Sequence, residues 1–384
     1  SFSLLAVPFY ILCGVLMNTG GIAQKLIDFA KILVGRIPGG LAHTNILGNT
    51  LFGSLSGSPA ANVATTGQIT IPMMKKNGFS PELAGAVEAV ASTGGMFTAS
   101  APTGLIIPPS GILIIYPVLA GCSVVGMIMS GYIPGLMWAL ACMVVAYVIA
   151  KKNHYPTAGK VPASVFFKYF VDAIPSLLLI VIIVGGVMSG IFTATESAAV
   201  AVAYTLFLSI VVYRSIKIKD LPKILLDACE TTAVIMFLIA GSNVMSFVMS
   251  FTGLPSAIGN ALISVSSNKY VILLIINLVL LVVGCFMDIT PAVLIFTPIF
   301  LPVVQSFGMD PIHFGIMMVM NLGIGNITPP VGSALFSGCS VADMDMEDMI
   351  KPILPFYAAI FVALMLVAYV PWFSMALPTL FGAV

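Results

Sequence analysis

Apolar residues run along this chain in long blocks rather than in short alternations. Six blocks, at 131–150, 174–192, 197–213, 231–251, 270–287 and 352–371, carry almost no charge. As helices, each is long enough to cross a hydrocarbon core of about 30 Å. Four further stretches, 48–74, 82–130, 288–304 and 311–341, are comparably apolar but are interrupted by Gly, Pro, Ser and Thr. A backbone group left unpaired in lipid costs several kcal/mol, so such breaks are tolerated only inside protein or beside a wet cavity. The pattern therefore predicts an all-α polytopic membrane protein whose working site lies at the breaks. Two amphipathic stretches, 22–35 and 217–230, place Lys and Asp between apolar positions. Each predicts a helix lying in the interface plane.

Composition narrows the picture. The 384 residues are 59% hydrophobic and 8% charged, against about a quarter charged in a soluble domain. Too few charges exist to cover a water-facing surface, which excludes a soluble enzyme or a disordered scaffold and makes the lipid bilayer the first partner. A net charge of +1 offers no bulk field to a polyanion, so no nucleic acid is expected. The six cysteines stand singly in apolar stretches and read as small packing residues. His43, His154 and His313 are dispersed without metal-ligand spacing, and no phosphate-binding loop, dinucleotide fingerprint or nucleophile–base pair appears. The chain is not expected to be an enzyme. Its opening residue, Ser1, leads straight into an apolar run without the basic region of a signal peptide.

An internal repeat is visible. IPMMKKNGFSPELAG (71–85) matches LPVVQSFGMDPIHFG (301–315) at a constant offset of 230 residues, pairing two prolines and two glycines. In the same order, Ser58-Pro59 falls against Thr290-Pro291, IPPSG (107–111) against TPPVG (328–332), and GCSV (121–124) against GCSV (338–341). If 39–74 and 270–304 are re-entrant hairpins opening to opposite faces, 14 of the 15 basic residues fall on one side, leaving Lys269 on the other. The positive-inside rule then favours an inverted-topology repeat over a parallel one. The plan divides into 1–38 (N-terminal span and amphipathic arm), 39–130 (first hairpin and discontinuous helix), 131–268 (connecting spans and second arm), 269–342 (second hairpin and discontinuous helix) and 343–384 (C-terminal span).

The candidate chemistry sits at the breaks. In GSLSGSPAAN (53–62) the hydroxyls of Ser56 and Ser58, the Gly57 backbone and the Asn62 amide gather at a hairpin turn. Uncharged oxygens suit a weakly held Na⁺, and the N–H end of the following half-helix suits a carboxylate. The alternative is a Ser/Gly helix-packing motif. In GCFMDITPAV (284–293), Asp288 is a carboxylate at a costly depth, and either it serves a site or it caps the half-helix that follows; Thr290 could fill either role. Facing these are APTGLIIPPSG (101–111) and GIGNITPPVG (323–332), whose Pro pairs remove backbone donors and free carbonyls one turn upstream. Thr103, Pro108 and Ser110 in the first, and Gly325, Asn326 and Thr328 in the second, are the sodium candidates there. Ser56, Ser58, Asn62, Thr290 and Asn326 are the substrate candidates. Glu196, in TATES, reads as a helix N-terminal carboxylate, and Glu88 as a structural group. No Lys or Arg stands at the midplane, so an anionic substrate would depend on helix N-termini, hydroxyls and bound Na⁺.

SFSLLAVPFYILCGVLMNTGG, LFGSLSGSPAANVATTG, IIPPSG, TATESAAVAVAY, MDITPAVLIFTPIFLPV and GNITPPVGSALF resemble the large membrane subunit of tripartite ATP-independent periplasmic (TRAP) transporters, over essentially the whole chain. The resemblance implies an elevator-type sodium symporter of the bacterial inner membrane. It also implies two partners: a small membrane subunit, and a periplasmic binding protein that delivers a carboxylate-containing organic acid. It places sodium and substrate regions at Ser56 to Ser58 with the Pro108 segment, and at Asp288 and Thr290 with the segment from Asn326 to Pro330. One helix before Ser1 is expected by the same comparison. From the shared glycine to the Pro pair the first copy counts 23 residues and the second 14, so the first site departs from its mirror. Two other functions stay open: a self-sufficient divalent-anion/sodium symporter without a binding protein, and a membrane-embedded enzyme using Ser56, with His43 the one histidine close in sequence.

Overall fold

A computed structural model describes residues 5–56, 106–107, 110–153, 163–253, 257–258, 261, 264–266, 268–342 and 345–383. Among the described residues the fold is helical throughout, without strands. Among these residues seven helices are long and apolar enough to cross a membrane, or eight if one bent pair counts as a single broken span.

That bent pair opens the chain. Helix α1 (Ala6–Thr19) and α2 (Ile22–Val34) meet at an angle of 68°. Gly21 takes φ 74° at the corner, a left-handed backbone that side chains resist. The corner is held from far along the chain: Ser215 Oγ donates to Gly20 O over 2.5 Å, and a Cβ at Gly20 would lie 2.1 Å from Ser209 Oγ. Deeper in α1, Cys13 Sγ and Thr205 Oγ1 are 3.4 Å apart. The first amphipathic stretch is thus a separate helix turned away from its span. It buries Ile22, Leu26, Ile27 and Ala30, and carries Lys25 to an ion pair with Asp172 at 3.4 Å.

Helix α3 (Gly40–Ser56) packs along α2 and is the last element before the described residues resume at 106. Then come α4 (Ile112–Ala120), α5 (Val124–Ser130), α6 (Tyr132–Lys152), α7 (Ala163–Met188) and α8 (Ala194–Phe207). The reading of Glu196 holds, because Thr193 Oγ1 accepts from the Glu196 N–H while the carboxylate accepts from the Thr193 N–H at 2.8 Å, a reciprocal cap on α8. A π-helical turn, Leu208–Val212, ends it. The second amphipathic stretch departs from expectation. After a short 3₁₀ turn it runs without a break into the next span as one 32-residue helix, α9 (Leu221–Thr252), about 48 Å long. No Gly or Pro stands between 223 and 240 to separate them.

The second repeat follows: α10 (Lys269–Phe286), α11 (Ile289–Ser306), α12 (Pro311–Gly325), a helix-free stretch from 326 to 332, and α13 (Ser333–Ala342). Helices α14 (Met346–Tyr369) and α15 (Trp372–Leu380) close the chain. The break expected within 311–341 is present. The stretch 288–304 is corrected, because α11 continues through Pro298 and Pro302 as one 18-residue helix. GCSV is also read differently in the two copies, lying between α4 and α5 in the first and inside α13 in the second.

Among the described residues two clusters hold most of the buried side chains. The larger joins α6, α10, α11, α12 and α14 through residues such as Trp138, Leu280, Val293 and Phe356. Every residue of α12 from Ile312 to Gly325 is buried, as an all-round apolar helix demands. The other core joins α1, α2, α7, α8 and the start of α9 through Tyr10, Leu26, Ile183 and Ala201. Between them lies a small third cluster of Val7, Ile115, Ile239 and Leu294, one residue each from α1, α4, α9 and α11. Of the six cysteines, Cys13, Cys142, Cys285 and Cys339 are buried as packing residues should be, whereas Cys229 is exposed on α9.

Candidate functional site

The site begins with two glycines. Gly284 near the end of α10 and Gly325 at the end of α12 face each other so closely that a Cβ on Gly325 would come within 2.5 Å of the Gly284 Cα. Backbone meets backbone there, which carries the chain just after α10 against the chain just after α12. Gly332 N–H donates to Cys285 O at 3.0 Å and ties the two segments again.

Asp288 emerges at this junction. Its backbone (φ −68°, ψ 157°) takes the cap position of α11, but its side chain makes no capping bond. The carboxylate instead accepts from Asn326 Nδ2 at 3.2 Å. The cap reading of Asp288 is corrected: the backbone takes the cap position, but the side chain reaches across to Asn326 instead of to the free N–H groups of α11. Asn326 is fully buried and held from its other end by Ser333, whose Oγ donates to Asn326 Oδ1 at 2.5 Å. Ala334 N–H donates to Asn326 O, at 3.3 Å. Thr328 Oγ1 donates to Ile324 O at 2.7 Å. Tyr357 of α14 donates to Ile327 O at 2.6 Å and fixes the loop from outside. Thr290 is half-buried, one residue into α11, next to Asp288.

The structure thus brings Asp288, Thr290, Gly325, Asn326 and Thr328 to one place. Of the first site, α3 runs to Ser56, while Gly57, Ser58, Asn62, Thr103 and Pro108 lie outside the described residues, as do Glu88 and His154. Ser110, just past the first Pro pair, is fully buried, and its hydroxyl has no hydrogen-bond partner among the described residues. An orphaned buried oxygen at that position suits a cation ligand. Among the described residues no cluster of His, Cys, Asp or Glu could hold a metal by itself.

Sequence reasoning missed Gly284, Ser333 and Tyr357. The first two flank recognised motifs, Gly284 opening GCFMDITPAV and Ser333 following TPPVG, so the signal was adjacent. Tyr357 carries no local signal. Further along the same helix pair, Asn321 Nδ2 donates to Asn277 Oδ1 at 2.7 Å and to Asn277 O at 2.9 Å, while Asn277 donates to Leu273 O. This polar pair, buried in the main core, pins α10 to α12 beneath the glycines. His313 is structural as well, its Nε2 lying 2.9 Å from Val367 O.

The geometry is that of a polar, hydroxyl- and carboxylate-lined junction between a helical hairpin and a broken helix, and comparison with known proteins agrees with it. The family model of the tripartite ATP-independent periplasmic transporter, DctM component, matches residues 1–373. YgiK of Salmonella typhimurium, an uncharacterized protein, is 50% identical over 99% of this chain and 86% of its own length. The sialic acid TRAP transporter large permease protein SiaM of Vibrio cholerae is 39% identical over 99% of this chain and 87% of its own. The C4-dicarboxylate TRAP transporter large permease protein DctM of Pseudomonas aeruginosa is also 39% identical, over the same shares of each chain. Large permeases of this kind are transport subunits rather than enzymes. They cross the inner membrane many times and work with a small membrane subunit and a periplasmic binding protein on small organic acids. The chain belongs to the DctM-component family, the large permeases of tripartite ATP-independent periplasmic transporters.

Proposed function

We propose that this chain couples entry of Na⁺ to import of a carboxylate-containing organic acid, handed over by the periplasmic binding protein. The observation that carries the reading is the bond from Asn326 to Asp288, which closes the tip of the hairpin onto the break of α12. A cation entering there would meet the Asp288 carboxylate, the Thr328 hydroxyl and the Gly325 backbone carbonyl, all hard oxygen ligands. Each would replace part of its water shell. Thr290 and Asn326 then face a substrate carboxylate, and Na⁺ supplies the positive charge that no Lys or Arg provides. In the first repeat, Ser56, Gly57, Ser58, Thr103 and Pro108 form the matching sodium site, with Ser56, Ser58 and Asn62 also toward substrate.

The parts that move are residues 39–130 and 269–342, each a hairpin with its discontinuous helix, related by inverted topology. They travel as one body against a scaffold built from 1–38 and 131–268, with 343–384 as the closing span. The moving parts carry substrate and ion together, so empty or half-loaded crossings are suppressed. The test is uptake of radiolabelled carboxylates, sialic acid and C4-dicarboxylates included, into proteoliposomes holding the chain with its small subunit and binding protein. Uptake should rise at least tenfold with an inward sodium gradient and collapse when the gradient is dissipated. Uptake indifferent to sodium would refute the coupling.

A further inference from the structure

Helix α11 should have been broken. Pro298 has no N–H, so the carbonyl of Leu294, one turn earlier, loses its intrahelical partner in an apolar interior. The partner comes from another helix: Ser242 of α9 donates its hydroxyl to Leu294 O. Both residues are buried, and the Leu294 side chain is one of the four that make up the small cluster between the two cores. Beside this bond an open apolar groove of about 220 Å³ runs along the seam, lined by Phe237, Gly241 and Met245 of α9 and by Pro291 and Ile295 of α11. Phe237 and Gly241 are exposed on its outer side. Behind it the Ser242 hydroxyl makes a buried polar tie across an otherwise apolar contact.

We propose that Ser242 is a positioning residue that latches the second hairpin to α9 through the carbonyl Pro298 leaves free, and that this bond must open each time the hairpin moves. Pro298 thus does two things at once: it frees the acceptor, and it ensures that the helix cannot satisfy that acceptor by itself. Asp288 and Thr290 ride on the same helix, so the latch sets where they stand relative to α9. The inference rests on the moving-hairpin reading above, and the test separates the two.

The experiment is a four-way comparison in the full chain with its small subunit: the unaltered chain, Ser242→Ala, Pro298→Ala and the double variant, with Ser242→Thr as the conservative control. Pro298→Ala returns an N–H to the helix and lets it satisfy Leu294 O internally. Hydrogen–deuterium exchange is followed over residues 289–300, and initial uptake rates are measured beside it. Losing one buried hydrogen bond corresponds to about fivefold in an opening equilibrium. Ser242→Ala is expected to raise exchange by about that factor when Pro298 is present and by less than twofold when Ala replaces it, with Ser242→Thr close to the unaltered chain. The maximal uptake rate should rise in Ser242→Ala without a shift in half-saturating substrate. If Ser242→Ala fails to assemble, its recovery in the Pro298→Ala background supports the latch and failure in both backgrounds overturns it. Equal effects in both backgrounds also overturn the latch, whatever the uptake shows. Coupled exchange in a chain whose uptake ignores sodium would leave the latch standing and sink the transport reading instead.

Discussion

Asn326 is the residue on which the described site turns. Its amide donates to Asp288 on one side, its carbonyl oxygen accepts from Ser333 on the other, and it is closed to solvent. Asn326→Ala would leave the half-buried Ser333 hydroxyl and the Asp288 carboxylate without these contacts, a loss of about 1 kcal/mol. Sodium-driven uptake at low sodium should fall about tenfold or more, measured as initial rate against sodium concentration. That Asp288, Thr290, Asn326 and Thr328 gather at one junction was legible in the sequence, because the breaks of the second repeat place them at facing helix ends. Tyr357 was not, since its role follows from where α14 lies and not from its neighbours. The Gly284–Gly325 approach sits between these cases. Both glycines are plain to see, but only the fold shows that they stand opposite each other, with no room for a Cβ on either.

At the scale of elements, spans were read most securely, because a long uncharged block has one physical solution in lipid. All six continuous blocks became helices. The two misread boundaries share a cause. The amphipathic start of α9 was separated from its span by polarity, and 288–304 was divided by its prolines, yet a helix continues wherever its backbone groups find partners. Within α9 nothing removes a partner; within α11 the partner is borrowed from Ser242. Caps follow the opposite rule and are local, which is why TATES could be read correctly. Thr193→Ala should remove one half of the reciprocal cap on α8 and lower stability by about 1 kcal/mol, seen as a reduced midpoint of thermal unfolding of the purified complex, with uptake per folded transporter unchanged.

Across the whole molecule, α4 enters both cores and the cluster between them, with Leu113 and Tyr116 in the larger core, Ile114 in the other and Ile115 in the cluster. Residues of α6 and α14 pack into the core that holds the second hairpin, so in the proposed movement the hairpin would have to slide past both. The inverted relation of the repeats and their parting into bodies were read from offsets and charge, and the described residues show one copy of the hairpin in full. For the complete complex, uptake into proteoliposomes should fall to near background when the binding protein is omitted, even with sodium present; full activity of the membrane subunits alone would favour the self-sufficient symporter.

The corner between α1 and α2 bears on how the protein is made. Its grip comes from Ser209 and Ser215, the latter 195 residues downstream of its partner. At a synthesis rate of roughly 5–20 residues per second, the first two helices sit in the bilayer for about 10–40 s before the turn that clasps them has left the ribosome. During that interval the corner depends on Gly21 alone for its shape, and the polar face of α2 on the headgroups for its partners. The N-terminal arm therefore waits for its clasp, and the bent pair takes its final form only after the chain has been made as far as Ser215.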